Sequence, residues 1–363
     1  MQLKGLKICF IAGTLGQGGA ERQLFYQLRA LKQGGAQPAL ISFSRGEYWQ
    51  TPIEALGVPV WALSPNASRH ARAWQILRLV RRLRPQILQA AHFYVNLYAV
   101  LAARMSGARE VGAVRSNAIR DIEGLGMFLG SWSLKAPRFI AANSKNALHN
   151  LIDFGAAPSR LTYLPNVVDE HKFSPLSQGA AQSELHLIMV GRFVANKRFD
   201  LFLRTLAALN HNNTLKVIGH LVGDGKQRES LQHLAQELAL PPALCHFHGA
   251  VADVERLYRQ ADICLHFSEW EGLPNTVLEA MACGLPVIAS CVGDIPEIIQ
   301  HEENGFLLNA NEEEPLVALL RPLIADSSLR QKIGSAARAT IEQQRSLAQL
   351  PRLLEDLYEK VLA

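Results

Sequence analysis

Short apolar runs alternate with amphipathic segments along almost the whole chain. The runs are rich in β-branched and aromatic residues, which is typical of buried strands, and the segments between them are predicted to be helical. The predicted strands lie at 7–11, 38–43, 58–61, 86–90, 110–114, 139–142, 185–190, 214–222, 245–251 and 263–267, and two further runs begin at 287 and 304. Strands that alternate with helices predict parallel sheets with helices on both faces, an α/β architecture.

The length of 363 residues is enough for two domains, each with its own core. Small and polar residues, SPLSQGAAQS at 174–183, have the composition of a linker. We therefore predict an N-terminal domain at 1–175, a linker at 176–183, a C-terminal domain at 184–345 and a final helical segment at 346–363. Ligands of such domains bind beyond the carboxyl ends of the strands.

The segment from Ser268 to Val287 is the most informative in the sequence. A helix is predicted to begin at Asn275, a common N-cap residue type, and to end near Gly284. Its first-turn N–H groups suit an anion such as a phosphate. Glu271 precedes the helix and Glu279 lies one turn inside it. The two carboxylates can therefore accept hydrogen bonds from hydroxyl groups on both sides of a bound diphosphate. The alternative is a solvated Glu271 and a Glu279 that only offsets the helix dipole.

Two other loops have residues suited to a diphosphate. A glycine-rich loop follows the first strand, and Gly18 and Gly19 stand where a helix opens, although the spacing is not GxGxxG and the loop can be a structural turn. Arg192 and Lys197 follow the strand at 185–190, and two cations five apart on one loop can converge on a diphosphate. Surface charge is the alternative interpretation of this pair.

Two residues of the N-terminal half follow predicted strand ends, where ligands of parallel sheets bind. His92 follows the strand at 86–90, and Arg115 follows the strand at 110–114. We interpret both as candidates for contact with an acceptor substrate. A structural role is the alternative for His92, whereas Arg115 offers a fixed positive charge suited to a phosphate or an acidic acceptor.

The sequence EGLPN followed by EAMACGLPV resembles the E-x7-E signature of retaining glycosyltransferases of family 4. This resemblance implies the GT-B fold, two Rossmann-like parallel-sheet domains that face each other across a cleft, with the C-terminal segment crossing back to the N-terminal domain. Catalytic roles are implied for Glu271, Arg192 and Lys197. The donor-binding residues implied are Gly18, Gly19, Arg192, Lys197, Ala250, Val251, Glu271, Gly272, Leu273, Pro274, Asn275, Thr276 and Glu279.

The resemblance also suggests how these residues divide the work. Arg192, Lys197 and the N–H groups near Asn275 would neutralise the departing diphosphate, while Glu271 would bind the donor sugar and Glu279 the ribose. His92 matches a histidine that is common in the family. Arg115 departs from the pattern because many relatives have a histidine there, so no catalytic histidine is assigned. Gly293-Asp294 also departs from the usual Gly-Gly pair.

The reaction that the resemblance implies is retaining transfer of a sugar from a nucleotide-diphosphate sugar, here predicted to be a UDP-sugar, to a cell-surface polysaccharide, lipopolysaccharide or glycolipid acceptor. The leaving phosphate would take the acceptor proton. We predict no cofactor and no metal, partly because His246 and His248 are expected to point to opposite faces of one strand. Three alternative classes are a GT-B epimerase or phosphorylase, a nicotinamide oxidoreductase, which the missing GxGxxG disfavours, and a binding protein without turnover.

Charge is divided unevenly between the halves. Residues 1–182 contain 21 Lys and Arg against 9 Asp and Glu, whereas 183–363 contain 16 against 23, for net charges of +12 and −7. The basic half predicts an anionic partner: a phospholipid surface, a phosphorylated acceptor or nucleic acid. We predict no nucleic acid, because no recognition motif accompanies the charge.

Two segments of the basic half are candidates for contact with lipid. In the helix at 72–84, Trp74, Leu77 and Val80 are predicted to form a stripe that packs on the sheet, and its arginines are either a solvated face or a docking surface for anionic lipid. The apolar segment at 127–135 is either core or a second lipid contact. Because no run of 18 apolar residues occurs and the five cysteines form no CxxC pair, we predict a cytoplasmic protein, peripheral on the inner face of the plasma membrane.

Overall fold

The computed structural model describes residues 3–115, 118–176, 184–211, 216–309 and 312–363. The chain divides into two compact units, one formed by Met1–Val167 with Leu347–Ala363 and the other by Val168–Ser346. Most of the predicted linker lies outside the described residues.

The division falls earlier in the chain than the sequence indicated, because residues 168–175 pack in the second unit. Phe173 is fully buried there beside Tyr258, with the ring centroids 6.2 Å apart. Arg338 donates a hydrogen bond of 2.7 Å to the carbonyl of Phe173, and Arg259 donates one of 3.0 Å to that of Ser174. These contacts join distant parts of the chain, so local composition does not indicate them.

The first unit is built on a seven-stranded parallel sheet in the order β3-β2-β1-β4-β5-β6-β7. Its strands are β1 Lys7–Ala12, β2 Gln37–Ser42, β3 Val60–Ala62, β4 Ile87–Ala90, β5 Arg109–Val114, β6 Phe139–Ala142 and β7 Leu161–Tyr163. Six of them correspond to predicted strands. The seventh has three residues and no apolar run of its own, so the pattern did not reveal it.

Helices cover both faces of this sheet. They are α1 Gly19–Gln33, α2 Gln50–Ala55, α3 Arg69–Leu83, α4 Asn96–Ser106, α5 Ala118–Leu125, α6 Met127–Lys135, α7 Lys145–Asp153 and the last helix of the chain, α14 Leu350–Leu362. Helix α1 packs against α14 over one face, and α3 and α4 pack over the other. The buried stripe of α3 passes through Ile76 and Val80, so the prediction that Trp74 packs on the sheet was wrong. Trp74 is instead 61% exposed.

The second unit contains a six-stranded parallel sheet in the order β10-β9-β8-β11-β12-β13. Its strands are β8 Leu185–Val190, β9 Val217–Val222, β10 Cys245–Gly249, β11 Ile263–His266, β12 Val287–Ser290 and β13 Phe306–Leu308. Its helices are α8 Phe199–Asn210, α9 Arg228–Glu237, α10 Val254–Gln260, α11 Asn275–Ala282, α12 Glu313–Ala325 and α13 Ser327–Gln344. Helix α11 is almost wholly buried among the aliphatic residues of one face.

Both sheets change winding direction between their first and fourth strands in chain order. In the first unit these strands are β1 and β4, and in the second they are β8 and β11. The loops that follow two such strands diverge to opposite sides of the sheet and leave a crevice at the carboxyl edge, where doubly wound proteins bind their ligands. Each unit therefore has one expected ligand position.

Candidate functional site

The crevice of the second unit is lined by the loops that follow β8 and β11. The first loop contains a short 3-10 helix, Ala195–Lys197, and the second runs from Phe267 to Pro274. The backbone N–H of Glu269 donates a hydrogen bond of 2.9 Å to the carbonyl of Asn196 and so ties the loops together. Side chains from both can therefore meet.

Glu271 is the centre of this meeting point. Its carboxylate forms a hydrogen-bonded ion pair with the ammonium of Lys197. The same oxygen, Oε1, accepts a hydrogen bond of 2.8 Å from the Ser268 hydroxyl and lies 3.1 Å from Nε2 of His266. Three donors thus hold one carboxylate oxygen, which leaves Oε2 as the atom available to a ligand hydroxyl.

This environment keeps Glu271 ionised. Burial by itself raises the pKa of the carboxyl, but the positive charge of Lys197 and the hydrogen bond from His266 outweigh burial and hold the pKa well below its usual range. The pKa of His266 is lowered, chiefly by burial and further by Lys197, although the bond to Glu271 opposes the shift. The site therefore contains a carboxylate, an ammonium and a neutral imidazole at neutral pH.

His266 is a site residue that the sequence reasoning missed. It is the last residue of β11 and only 2% exposed, and its Nδ1 lies 3.1 Å from the hydroxyl of Thr276 in the first turn of α11. A neutral ring that donates from Nε2 to Glu271 accepts from the Thr276 hydroxyl at Nδ1. The sequence did contain a signal for this site residue: a histidine at the end of an otherwise apolar strand, shortly before the carboxylates.

Helix α11 begins at Asn275, but its N-cap is Pro274, with extended backbone and no side-chain cap. The expectation that Asn275 caps the helix was therefore wrong by one position. The observed start still suits the predicted anion site, because Asn275 and Thr276 are the first helical residues and the positive end of the helix dipole lies at this first turn. Thr276 is at the same time joined to His266, so the helix tip and Glu271 share one polar network.

The backbone before α11 is held by a loop after β12. The N–H of Asp294 donates a hydrogen bond of 2.9 Å to the carbonyl of Gly272. Gly293 has a φ of 59°, and a Cβ added there would lie 2.5 Å from the same carbonyl oxygen. Only glycine permits this approach. The Gly293-Asp294 pair, seen in the sequence as a departure, therefore supports the segment that contains Glu271.

The other predicted donor residues are placed less centrally. Glu279 is buried in α11, and Leu273 packs in the apolar cluster around that helix. Ala250 and Val251 directly follow β10. Arg192 is exposed on the loop after β8, and its side chain forms no hydrogen bond or ion pair with the residues that the structure describes. The structure thus brings Lys197, but not Arg192, to Glu271.

The crevice of the first unit is formed by the loops after β1 and β4. The N–H of Gly13 donates a hydrogen bond of 3.2 Å to Nδ1 of His92, so the ring proton is on Nε2, which lies 3.1 Å from Oε1 of Glu21. Gly18 is the N-cap of α1, and a Cβ there would lie 2.2 Å from the Glu21 carboxylate. His92 and the glycine loop therefore form one hydrogen-bonded unit, with Gly19 as the first residue of α1.

A second carboxylate in this crevice was not predicted. Glu47 bonds to the N–H of Leu15 and accepts from the hydroxyls of Thr14 at 2.8 Å and Ser44 at 2.5 Å. Burial raises the pKa of Glu47, but these hydrogen bonds lower it overall. Glu47 holds the glycine loop in shape. No sequence pattern indicates it, because 32 residues separate it from Leu15.

Arg115 is partly buried, and the structure turns its side chain inward. The guanidinium lies 3.5 Å from the carbonyl of Leu164 and close to the hydroxyl of Tyr358 in α14. Burial lowers the pKa of Arg115 to about 10. A contact between Arg115 and an acceptor remains a prediction.

The expectation that His246 and His248 point to opposite faces was wrong, because residues two apart on a strand share a face. Their ring centroids are 6.1 Å apart. His220 on β9 stacks against His246 and lies 2.9 Å, Nδ1 to Nε2, from His248, while its own Nε2 is 2.9 Å from Nδ1 of His186. The four rings form a histidine cluster across β8, β9 and β10, so the argument from strand faces against a shared ion does not hold.

The fold and the two crevices define a GT-B architecture, and solved structures agree. The chain superimposes on Anabaena Alr3699/HepE in complex with UDP-glucose with a TM-score of 0.86 at 20% identity, covering 98% of this chain and 100% of that one. Sucrose-phosphate synthase from Thermosynechococcus elongatus gives a TM-score of 0.85 at 16% identity, with 98% and 99% covered. At such identities the likeness shows the fold.

Family models give the second step of the identification. The model for Glycosyltransferase Family 4 matches residues 17–172, and the model for Glycosyl transferases group 1 matches 172–340. The chain therefore belongs to glycosyltransferase family 4, as the E-x7-E segment suggested.

Curated relatives match over part of their length. The N-acetyl-alpha-D-glucosaminyl L-malate synthase of Bacillus anthracis is 30% identical over 184 residues, which is 51% of this chain and 48% of that protein. Sulfoquinovosyl transferase SQD2 of Arabidopsis thaliana is 33% identical over 210 residues, 53% of this chain and 39% of that protein. The chain is thus matched to half or less of the length of these relatives.

Proposed function

We propose that this protein is a retaining glycosyltransferase that moves a sugar from a UDP-sugar to a polysaccharide, lipopolysaccharide or glycolipid acceptor. The observation that carries the proposal is the buried group of Lys197, Glu271 and His266 beside the first turn of α11. Membership of glycosyltransferase family 4 supports it. A structure of similar fold, HepE, binds UDP-glucose, which supports UDP as the nucleotide.

The chemistry follows from the charges of the site. As the anomeric bond breaks, negative charge grows on the departing diphosphate, and positive groups already in place stabilise that charge. Lys197, Arg192 and the N–H groups of Asn275 and Thr276 supply them in this proposal. Glu271 accepts hydrogen bonds from hydroxyl groups of the donor sugar through Oε2, and Glu279 accepts hydrogen bonds from hydroxyl groups of the ribose.

No divalent ion is required in this proposal, because the cationic side chains and the helix tip take its electrostatic role. Retention follows if the acceptor attacks from the face that the diphosphate leaves, with the leaving phosphate taking the acceptor proton. On the acceptor side we assign His92 and Arg115, while Gly18 and Gly19 stay among the proposed donor-binding residues. Of these, His92 is held most firmly, by Gly13 and Glu21.

Binding of the donor must compete with an ion pair that is already present in the site. Lys197 is already paired with Glu271, so a diphosphate competes with the carboxylate for the same ammonium. His266 and Ser268 remain as donors to Glu271 when Lys197 turns to the ligand. The carboxylate is therefore not left buried and unpaired, a state that would be expensive.

Isothermal titration with a panel of UDP-sugars tests the proposal. Wild-type protein should bind at least one of them, and a double variant, Arg192→Ala with Lys197→Ala, should bind it about 100-fold more weakly through the loss of two charge-assisted contacts. Lys216→Ala is the matched control, because Lys216 forms a lysine–glutamate pair with Glu184 on the exposed surface of the same unit. Equal binding by wild type and the double variant would contradict the proposal.

Products identify the reaction. Transfer to an added acceptor with retained anomeric configuration, followed by NMR and unaffected by EDTA, is the expected result. Formation of an epimeric sugar nucleotide or a sugar phosphate would assign the protein to another GT-B class. Binding of the donor with no turnover in the presence of cell-envelope acceptors would show a binding protein.

A further inference from the structure

Three helices of the first unit present a continuous outer layer on one side of its sheet. Helix α3 packs against α4, and α4 packs against α6. Ile76 and Val80 of α3 share a buried cluster with Ala99 and Ala103 of α4 and with strands of the sheet, so the opposite sides of these helices form the surface. We call that surface the basic outer face.

Large apolar side chains are exposed on all three helices of the basic outer face. Phe128 and Trp132 of α6 are 75% and 58% exposed and stack on each other with ring centroids 6.1 Å apart. The others that are exposed on this face are Trp74 of α3, Leu101 and Met105 of α4, and Met127 and Leu129 of α6. Aromatic residues and methionine grouped in this way on a surface indicate an interaction site.

The charge on these helices has one sign. None of α3, α4 and α6 contains an aspartate or a glutamate. Their cations are Arg69, Arg72, Arg78, Arg81, Arg82, Arg104 and Lys135. Arg78 lies 5.5 Å from the ring centroid of Trp74, so charge and aromatic surface are interleaved. Among the described residues, only Arg104 of these cations is paired with a carboxylate, the buried Glu110, at 3.6 Å. Apart from Glu110, the acidic residues nearest in sequence are Asp121 and Glu123 of α5.

We propose that the basic outer face docks on an anionic lipid bilayer, with Phe128, Trp132 and Trp74 entering the interfacial region and the arginines meeting the lipid phosphates. Aromatic rings prefer that region, and lysine or arginine near an anionic surface strengthens binding. No helix among the described residues is long and apolar enough to cross a membrane, so the contact is interfacial. The inference rests on the proposed function in one respect: a lipid-linked acceptor gives the docking its purpose.

Co-flotation with vesicles tests this surface. The full chain is mixed with phosphatidylcholine vesicles that contain or lack phosphatidylglycerol, and the fraction that floats is measured at low and high salt. Wild type should float with the anionic vesicles only, and added salt should reduce the fraction because screening weakens the contacts with the headgroups. Failure to float with anionic vesicles would overturn the proposal.

Variants locate the contact. Phe128→Ser with Trp132→Ser should lower partitioning about tenfold or more, through the loss of buried apolar area. Arg78→Gln, Arg81→Gln and Arg82→Gln should each lower it about fivefold and weaken its dependence on salt. Tyr48→Ser is the matched control, an exposed aromatic of the same unit outside these helices, and should float like wild type. Unchanged flotation of the Phe128/Trp132 variant would overturn the proposal.

The same variants distinguish lipid docking from self-association of the protein through this face. If the basic outer face is a self-association surface, wild type forms oligomers in sedimentation, the Phe128/Trp132 variant becomes monomeric, and neither floats, which overturns lipid docking. Titration with UDP-sugars is run on the same preparations without vesicles. Loss of flotation with intact donor binding contradicts only the docking, whereas absence of donor binding in the wild type contradicts the proposed function.

Discussion

The two units have the same strand winding, and each has a histidine–glutamate pair at the point where the winding direction reverses. In the first unit His92, two residues beyond the end of the fourth strand, lies 3.1 Å from Glu21. In the second unit His266, the last residue of the corresponding strand, lies 3.1 Å from Glu271. Among the residues that the structure describes, only the second pair has a lysine against its carboxylate. In the first unit, five arginines lie instead on the outer helix α3.

This difference shows what topology decides and what it leaves open. Parallel strands that wind in opposite directions create a crevice at the same place in both units, whatever its chemistry. The residues of the two loops then determine the charge. Lys197 makes the second crevice suitable for an anion, whereas the first holds two carboxylates, Glu21 and Glu47, and an imidazole beside a glycine loop.

The largest effect should come from removing the carboxylate that has a lysine partner. Glu271→Gln should lower turnover about 10²- to 10³-fold, because the proposed mechanism loses a preorganised contact with the donor where charge develops. Glu21→Gln, the equivalent change in the first unit, should lower it far less. Single-turnover assays with saturating donor measure both. Equal losses would show that the two crevices are equivalent in catalysis.

The next largest effect should come from a substitution at Gly293, in the loop that supports the second crevice. Gly293→Ala brings a Cβ to 2.5 Å from the carbonyl of Gly272 at a φ of 59°, and should cost about 2–3 kcal/mol of unfolding free energy. Gly46→Ala in the first unit is the matched control, with a φ of 73° and open space around it, and should cost about 1 kcal/mol. Urea denaturation gives both values, and similar costs would contradict the supporting role of Gly293.

His266 should matter to sugar recognition more than to nucleotide binding. His266→Phe removes the donor to Glu271 and the acceptor for Thr276, and should weaken UDP-sugar binding about tenfold while UDP binding stays nearly constant. His266→Gln, which can still donate to Glu271, should restore part of the loss. Titration calorimetry with UDP and with UDP-sugar separates the two effects. A variant that loses both equally would indicate a purely structural histidine.

The smallest effect concerns pH and the histidine cluster. Burial, reinforced by His248, lowers the pKa of His220 to about 3, so the folded state favours the neutral ring. The stability that this preference contributes is present above the unfolded pKa of about 6.5 and is lost as the pH falls toward 3.

Stability of the wild type should therefore drop by about 1 kcal/mol between pH 7.5 and pH 5.5 through this cluster, after allowance for its partial exposure. The variant His220→Gln should lack that part of the dependence, as measured by urea denaturation at both values. An identical pH dependence in the variant would show that the cluster does not contribute.

Much of the architecture could be predicted from the sequence, because it depends on local patterns of apolar and polar residues. Six strands of the first unit appeared as apolar runs, and the E-x7-E segment indicated both the family and the position of the α11 tip. Errors arose where contacts between distant residues decide. Trp74 has helical spacing with Val80, yet Ile76 and Val80 form the buried side of α3 and Trp74 is exposed.

The sequence by itself determined the α/β class, the pattern of strands and helices, and the loops in which Lys197, Glu271 and the glycines lie, because periodicity and turn chemistry act over a few residues. Tertiary structure alone decided that Lys197 pairs with Glu271 rather than standing free, that His266 connects Glu271 to α11, and that Glu47 holds the glycine loop. Those contacts join residues that are separated along the chain or lie on different elements, and only the packing of strands side by side brings them within hydrogen-bond distance.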